Sequence, residues 1–368
     1  MSTVTTAAVV EAHGAPFALT EVVLDGPRAD EVLVRMVATG LCHSDLGAQA
    51  GKIPFRLPGI LGHEGAGVVE RVGSSVTKVK PGDKVLLSFT SCGHCTGCRG
   101  GHPALCETWV PSNVVNGTRA DGSFTVQRDG VPIGGHFFGQ SSFSRMALAD
   151  ERSVVKVDAE ADLAMLAPLG CGVQTGVGAV WNVLAPKPGE SLAVFGTGAV
   201  GLSAIMAANL LPLGDIIAVD RVPERLELAC DLGARHTINT TEVDLATALK
   251  EITGGRGVDN AVDTTGHPAV LRTAVDSLAV GGACALIGVA APGTEVSLEI
   301  HGLLSGKRIL GVVMGDSEPE TLLPQLAALH RQGRLPLDRL VRHYKLEDLN
   351  SAAHDMHTGV TIKPVVLF

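Results

Sequence analysis

The stretch Gly196-Thr197-Gly198-Ala199-Val200-Gly201 restricts the fold of this chain more than any other. It follows the apolar run LAVF and opens the apolar segment AVGLSAIMAANLL. Three glycines in that spacing serve a strand that turns sharply into a helix. Their backbone lies close enough to accept a pyrophosphate at the helix N-terminus. From about residue 173 the flanking pattern fits. SLAVFG, DIIAVD, HTINT, VDNAVDTTG and ACALIGV read as strands. AVGLSAIMAANLL, ERLELACDLGA, DLATALKEITG and AVLRTAVDSLA read as the helices between them. This alternation specifies a doubly wound parallel sheet. Asp220 ends the second strand, 19 residues after Gly201. A carboxylate there accepts ribose hydroxyls and repels a 2′-phosphate, so the expected dinucleotide is NAD. Arg221, directly after it, softens that preference.

Residues 1–150 follow another pattern. EVLVRMVATG, GAGVVERVG and DKVLLSF are short β-rich pieces separated by Gly or Pro-Gly, as in a mainly antiparallel, barrel-like domain. Residues 107–140 lack periodicity and read as a long loop. Beyond residue 314 one helix is clear, PETLLPQLAALHRQG, and the chain ends in the strand-like KPVVLF. The fold class is therefore α/β with two domains, which suits 368 residues.

The net charge of −9 repels phosphate backbones, and twelve aromatic residues (nine Phe, two Trp, one Tyr) make a poor stacking surface. Nucleic acid is not an expected partner. The N-terminal residues lack a basic segment followed by a long apolar one, so no secretory signal is read and a cytoplasmic location is expected. Residues 163–186 and 191–214 are uncharged over 24 positions each, long enough to span a membrane. Gly and Pro interrupt both, and the second holds the fingerprint, so both read as buried elements of a protein without membrane spans.

Four of the eight cysteines, Cys92, Cys95, Cys98 and Cys106, fall within 15 residues. In a reduced chain such clustering binds metal. Four thiolates close a tetrahedral zinc shell and leave no open position, which makes the site structural. An iron–sulfur cluster is the alternative. A nucleic-acid zinc ribbon conflicts with the acidic charge. A second, dispersed set is Cys42, His63 and Cys171. One His and two thiolates leave a fourth position vacant, as a catalytic zinc requires. Cys230 and Cys284 lie in apolar stretches and read as packing residues.

Together GLCHSDLG, GHEGAGVVE, the four-cysteine loop, LGCGVQTG, VFGTGAVGLS and Asp220 resemble, in order and over essentially the whole chain, the zinc-dependent medium-chain alcohol dehydrogenases. The resemblance implies a GroES-like catalytic domain from residues 1–172 and 314–368, and an inserted Rossmann domain at 173–313. It implies two zinc ions per subunit, with Cys42, His63 and Cys171 on the catalytic one. Glu64 matches a carboxylate behind the metal, and Asp45 one that orients the ligating imidazole. His43 and Lys363 match pyrophosphate contacts. Thr175, Val200 and Val289 match residues around the nicotinamide. Arg225 joins Gly196, Gly198, Gly201, Asp220 and Arg221 in the cofactor set. Ser44 matches the hydroxyl that starts the proton relay. Many relatives complete that relay with a His three residues on, where this chain has Gly47.

Within the family, HFFGQSSF and RADGS look like the bacterial aryl-alcohol (benzyl alcohol) and geraniol dehydrogenases. By family position Ile53, Phe89, Phe137, Phe138 and Val313 line the substrate pocket. The implied reaction interconverts an aromatic or allylic primary alcohol and its aldehyde with NAD. One alternative is the class III branch, which oxidises a formaldehyde–thiol adduct. Its characteristic Arg and pocket acid are replaced by Val110 and Ile53. Another is a catalytically silent zinc- and nucleotide-binding protein. A homodimer or homotetramer is expected.

Overall fold

The computed structural model describes all 368 residues. The chain divides into two compact units, Met1–Cys171 with Glu318–Phe368, and Gly172–Ser317. The chain returns to the first unit four residues later than the sequence reading has it. The reason is local packing. A Cβ on Gly178 would lie 2.3 Å from the Gly315 carbonyl oxygen, and Ser317 Oγ donates to Gln174 Oε1 at 2.8 Å. Residues 314–317 are thereby held inside the second unit.

That unit is built on six parallel strands, numbered here within it. They are β1 (Leu192–Phe195), β2 (Ile216–Asp220), β3 (His236–Asn239), β4 (Val258–Asp263), β5 (Leu278–Leu286) and β6 (Arg308–Gly311). Their order is β3-β2-β1-β4-β5-β6. The order reverses at β1, and a ligand crevice forms beyond the carboxyl ends of strands at such a switch point. All four residues of β1 have zero exposure, as a strand covered on both faces requires. Helix α1 (Ala199–Asn209) is apolar almost all round because it too is buried. Gly196 has φ +89°, a left-handed conformation that suits glycine. A Cβ on Gly201 would stand 1.9 Å from the Gly196 carbonyl oxygen. Cys284 has zero exposure in the core of this sheet. Cys230 departs from expectation and is exposed. Leu226 and Ala229 are the buried positions of its helix Pro223–Asp231, and Cys230 comes a further ~100° round it.

The first unit carries two sheets. One orders Gly59–Ile60, Thr3–Val10, Ala18–Leu24, Val126–Arg128 and Val131–Ile133. The other is seven-stranded, and its strand Glu31–Gly40 pairs with Glu64–Val72, Met146–Asp150 and Lys363–Leu367. The sequence reading of 107–140 as a bare loop is corrected. Its residues 126–133 form a hairpin that extends the first sheet. Arg119 anchors the segment. It is 6% exposed, forks onto both oxygens of Glu31 at 2.5 and 3.1 Å, and donates to Asp25 Oδ2 and the Phe124 carbonyl. A second helix near the end, Leu349–Thr358, was also not read from sequence. Its buried face is only Leu349, Ala352 and Met356, too few apolar side chains for a periodic signal.

No single helix is long and apolar enough to cross a membrane. The uncharged run 191–214 supplies β1 and α1, and the run 163–186 is broken into four short helical pieces.

A Gly201→Ala substitution forces its methyl group into the Gly196 carbonyl. The expected loss is about 1–3 kcal/mol of unfolding free energy, as for other overpacked sites, read from denaturant titration.

Candidate active site

The pairing of two strands assembles the metal-ligating set. Glu31–Gly40 and Glu64–Val72 run antiparallel with Gly40 opposite Glu64. Cys42 follows the first strand by two residues and His63 immediately precedes the second, so the pairing brings both to one sheet end. Cys42 is also the N-cap of the short helix His43–Gln49. Cys171 closes the turn Ala167–Gly170. The ligand atoms of Cys42, His63, Glu64 and Cys171 all lie within 4.8 Å of one another.

Asp45 organises one side of this set. Its carboxylate accepts from Cys42 N at 2.9 Å and Gly62 N at 3.0 Å, and lies 2.9 Å from His63 Nδ1. With Nδ1 donating to Asp45, Nε2 is the ring nitrogen left to bind a proton or a metal ion. That atom is buried without a hydrogen-bond partner. An orphaned imidazole nitrogen facing two thiols is what a zinc site of this donor type needs, so the residues fit the ion. The electrostatics point the same way. Cys171 hydrogen bonding, against the cost of burial, draws the Cys42 thiol well below its ordinary range, and the Lys363 charge adds to that. Burial works against charge on His63, but Asp45 and Cys42 outweigh it and lift the imidazole to about 10.

Glu64 lies behind the set, with zero exposure. Burial raises its carboxyl to about 7, against the pull of Lys363. Gly40 makes room for it, since a Cβ there would sit 1.9 Å from Glu64 Oε2. Lys363 corrects the sequence reading. Expected at a pyrophosphate, it is 2% exposed and bonds both Glu64 oxygens at 2.9 and 3.0 Å and the Leu41 carbonyl at 3.1 Å. A buried ammonium takes the buried carboxylate as its counter-ion.

The second set, Cys92, Cys95, Cys98 and Cys106, also has its sulfurs within 4.8 Å. Backbone N–H groups of Cys92 and Cys95 point at the sulfurs of Cys106 and Cys92, both at 3.3 Å. Backbone donors from Cys98 and Glu107 bring the Cys95 thiol down to about 6, while burial and the Cys95 sulfur push Cys98 up to about 12. None of these cysteines is paired in a disulfide. Four converging sulfurs with N–H donors behind them fit a tetrathiolate ion.

Aromatic rings wall the His63 side. Phe138 stacks on the imidazole at 4.4 Å and 26°, and Phe137 meets it edge-on at 5.4 Å. Phe55 packs on Phe137, and Trp109 on Phe138. Phe89 is buried as well. Trp109 and Phe55 were missed from sequence, because nothing in their local pattern marks them. Ile53 sits against Gly47, where a Cβ would fall 3.0 Å from its Cδ1. The place of the relay imidazole is thus taken by an aliphatic side chain. Ser44 Oγ lies 4.0 Å from Cys42 Sγ, and His43 is exposed.

The second unit holds the other predicted residues. Asp220 Oδ2 accepts from Thr197 N and Oγ1 at 2.6 and 2.7 Å, and Oδ1 from Arg221 N and Val222 N at 2.7 and 3.1 Å. Burial opposes its ionisation, yet these donors hold the carboxyl below its usual range. A Cβ on Gly198, the N-cap of α1, would meet nothing within 4 Å, which leaves the helix N-terminus open to a phosphate. Arg225 Nε is buried without a partner. Open glycine backbone, a fixed carboxylate and a spare guanidinium donor fit a dinucleotide. Thr175 is buried, Val200 and Val313 are half-buried, Arg221 is exposed, and Val289 stands 74% exposed after β5.

Two family models match. "Alcohol dehydrogenase GroES-like domain" covers residues 28–159 and "Zinc-binding dehydrogenase" covers 199–328. The chain belongs to the zinc-dependent medium-chain alcohol dehydrogenases. It is 42% identical over 364 residues to a geraniol dehydrogenase of Castellaniella defragrans, covering 98% of this chain and 97% of that one. An S-(hydroxymethyl)glutathione dehydrogenase of Escherichia coli O1:K1 is 37% identical over 368 residues, covering 98% and 99%. The crystal structure of benzyl alcohol dehydrogenase from Acinetobacter calcoaceticus superposes with a TM-score of 0.96 at 43% identity, covering 100% of this chain and 99% of that one.

A titrating residue, His136, caps the turn that carries Phe137 and Phe138. His136 is 7% exposed and its Nδ1 has no partner. Burial, aided by the Arg119 charge and opposed by Glu31, lowers it to about 4. Its folded pKa therefore lies below the unfolded value of about 6.5, so the unfolded chain binds the extra proton. This contribution to stability is whole above pH ~6.5 and is lost as the pH falls toward 4, at about 1.4 kcal/mol per pH unit. Unfolding curves of the parent and His136→Gln between pH 7 and 5 should converge as the pH drops.

Proposed function

We propose that this enzyme interconverts an aromatic or allylic primary alcohol, of the benzyl alcohol or geraniol type, and its aldehyde, using NAD. The observation that supports this substrate class is the stack of Phe138 and Phe137 on the ligating imidazole. A flat or unsaturated alcohol bound beside His63 meets aromatic faces and an apolar wall, which favour it over a charged substrate. The relatives named for geraniol and benzyl alcohol agree with that wall. The glutathione-dependent relative does not, because the positions for its cation and acid hold Val110 and Ile53.

Cys42, His63 and Cys171 are the residues to hold the catalytic zinc, and Cys92, Cys95, Cys98 and Cys106 the structural one. When bound, the catalytic zinc supplies Lewis acidity and the nicotinamide accepts the hydride. The protein's part is to orient and to move a proton. Asp45 fixes the imidazole tautomer. Ser44 Oγ takes the hydroxyl proton of the alcohol. With Ile53 against Gly47, position 47 offers no imidazole to carry that proton onward. Asp220, held by four donors, cannot turn away from a 2′-phosphate, which favours NAD over NADP. The chain is read as a cytoplasmic homodimer or homotetramer.

Initial rates with benzyl alcohol, geraniol, ethanol, and formaldehyde with glutathione test the reading. The highest kcat/KM is expected for the first two, with NAD preferred over NADP and activity lost on treatment with a strong chelator. Turnover confined to the formaldehyde–glutathione mixture would overturn the substrate class. Binding of NADH without any turnover would overturn the activity.

A further inference from the structure

Asp45 relates Cys42 to His63, but it does not touch the segment that carries Cys171. A second buried polar path does. Gln140 is 1% exposed. Its Oε1 accepts from Gly65 N at 3.0 Å, and its Nε2 donates to the His63 carbonyl at 3.0 Å and the Ser88 carbonyl at 2.9 Å. Ser88, with zero exposure, donates its own hydroxyl to the Gly170 carbonyl at 2.9 Å. The path thus runs from the backbone of His63, through one amide and one hydroxyl, to the residue before Cys171.

We propose that Gln140 and Ser88 are positioning residues that set Cys171 against His63, and so set the affinity and lability of the catalytic zinc. The inference rests on the reading of Cys42, His63 and Cys171 as zinc ligands. The chemistry of position 140 is specific. It must accept from one N–H and donate to two carbonyls while buried from solvent. A primary amide does this without a charge, whereas a carboxylate would face two carbonyl oxygens with no proton to offer. The geometry around it is held under tension. Phe138 at φ 51° and Ser141 at φ 50° are non-glycine residues in the left-handed region, and such conformations persist where the surroundings impose them. The surroundings here are the ligand loop. Ser141 Oγ donates to the Ile60 carbonyl, and Ser142 N and Phe143 N donate to the Gly62 and Leu61 carbonyls. One turn therefore carries the aromatic wall and fixes the backbone of the metal ligand it stacks on.

The test follows zinc, not turnover. The holoenzyme is mixed with a chromogenic chelator, and zinc release is resolved into two phases. The four-cysteine site serves as an internal reference for the fold. Ser88→Ala removes only the hydroxyl, and Gln140→Leu removes the amide. Loss of a partner outside the ligand set costs about 10–100-fold in metal affinity in other zinc sites. Each variant should release the catalytic zinc faster by that order, with the four-cysteine phase unchanged. The double variant should be no faster than the worse single one, because both act on one path. Replacement of the catalytic zinc by Co²⁺ should give a visible band that shifts in Ser88→Ala. If both zinc phases accelerate together, or neither does, the proposal is wrong. Should Gln140→Leu fail to fold, Ser88→Ala decides alone. A parent enzyme with one zinc per chain, held by the four-cysteine site, would remove the ligand reading itself.

Discussion

The carboxylate of Asp45, with zero exposure and three donors, is the contact on which the catalytic unit depends. It joins the end of one strand, the start of the next and the imidazole between them. Its anion could not remain in a dry interior without those donors, and the donors would be orphaned without it. The strand pairing that sets Gly40 opposite Glu64 supplies the frame. The helix at His43–Gln49 delivers Asp45 into that frame because Cys42 caps it in an extended conformation. Sequence, local conformation and site chemistry are therefore one arrangement. A change to any of the three donors alters the ligand geometry before it alters the fold.

The two units solve different problems. In Gly172–Ser317 a ligand is met by backbone: a turn of glycine, an open helix end, and one carboxylate held by four donors. In the other unit the converging groups are side chains drawn from distant positions, with aromatic rings packed on an imidazole. The first kind of site tolerates variation in most side chains. The second ties the wall and the loop 134–143 to one another, so a change in the wall is coupled to the setting of His63.

Legibility from sequence follows the same division. The fingerprint glycines and Asp220 are local, and their spacing carries their role. The four clustered cysteines are local too. Cys42, His63 and Cys171 are individually ambiguous, and only their order among known motifs picked them out. Much of what escaped was long-range. Nothing near Lys363 says that its partner is Glu64, since a basic residue at the start of a strand is ordinary. Gln140 sits in a polar-looking stretch that the fold buries, and Ser88 is a lone hydroxyl in an apolar one. Ile53 against Gly47 is a contact six positions apart in a turn, without periodicity to expose it. Arg119 gives the segment 107–140 its order through Glu31 and Asp25, 88 and 94 residues away, and no local pattern reports that.

The ion pair between Lys363 and Glu64 spans 299 positions of sequence. This has a consequence for synthesis. At about 5–20 residues per second, a ribosome needs roughly 15–60 s to make that interval. Throughout it the nascent chain holds Glu64 without its counter-ion and the strand Glu31–Gly40 without one neighbour. The dinucleotide unit, being continuous, is complete well before then and folds as a piece. The catalytic unit is thus the last to close, although its first residues are the first to emerge. The buried carboxylate beside Cys42, His63 and Cys171 gains its counter-ion only when translation has delivered the final strand.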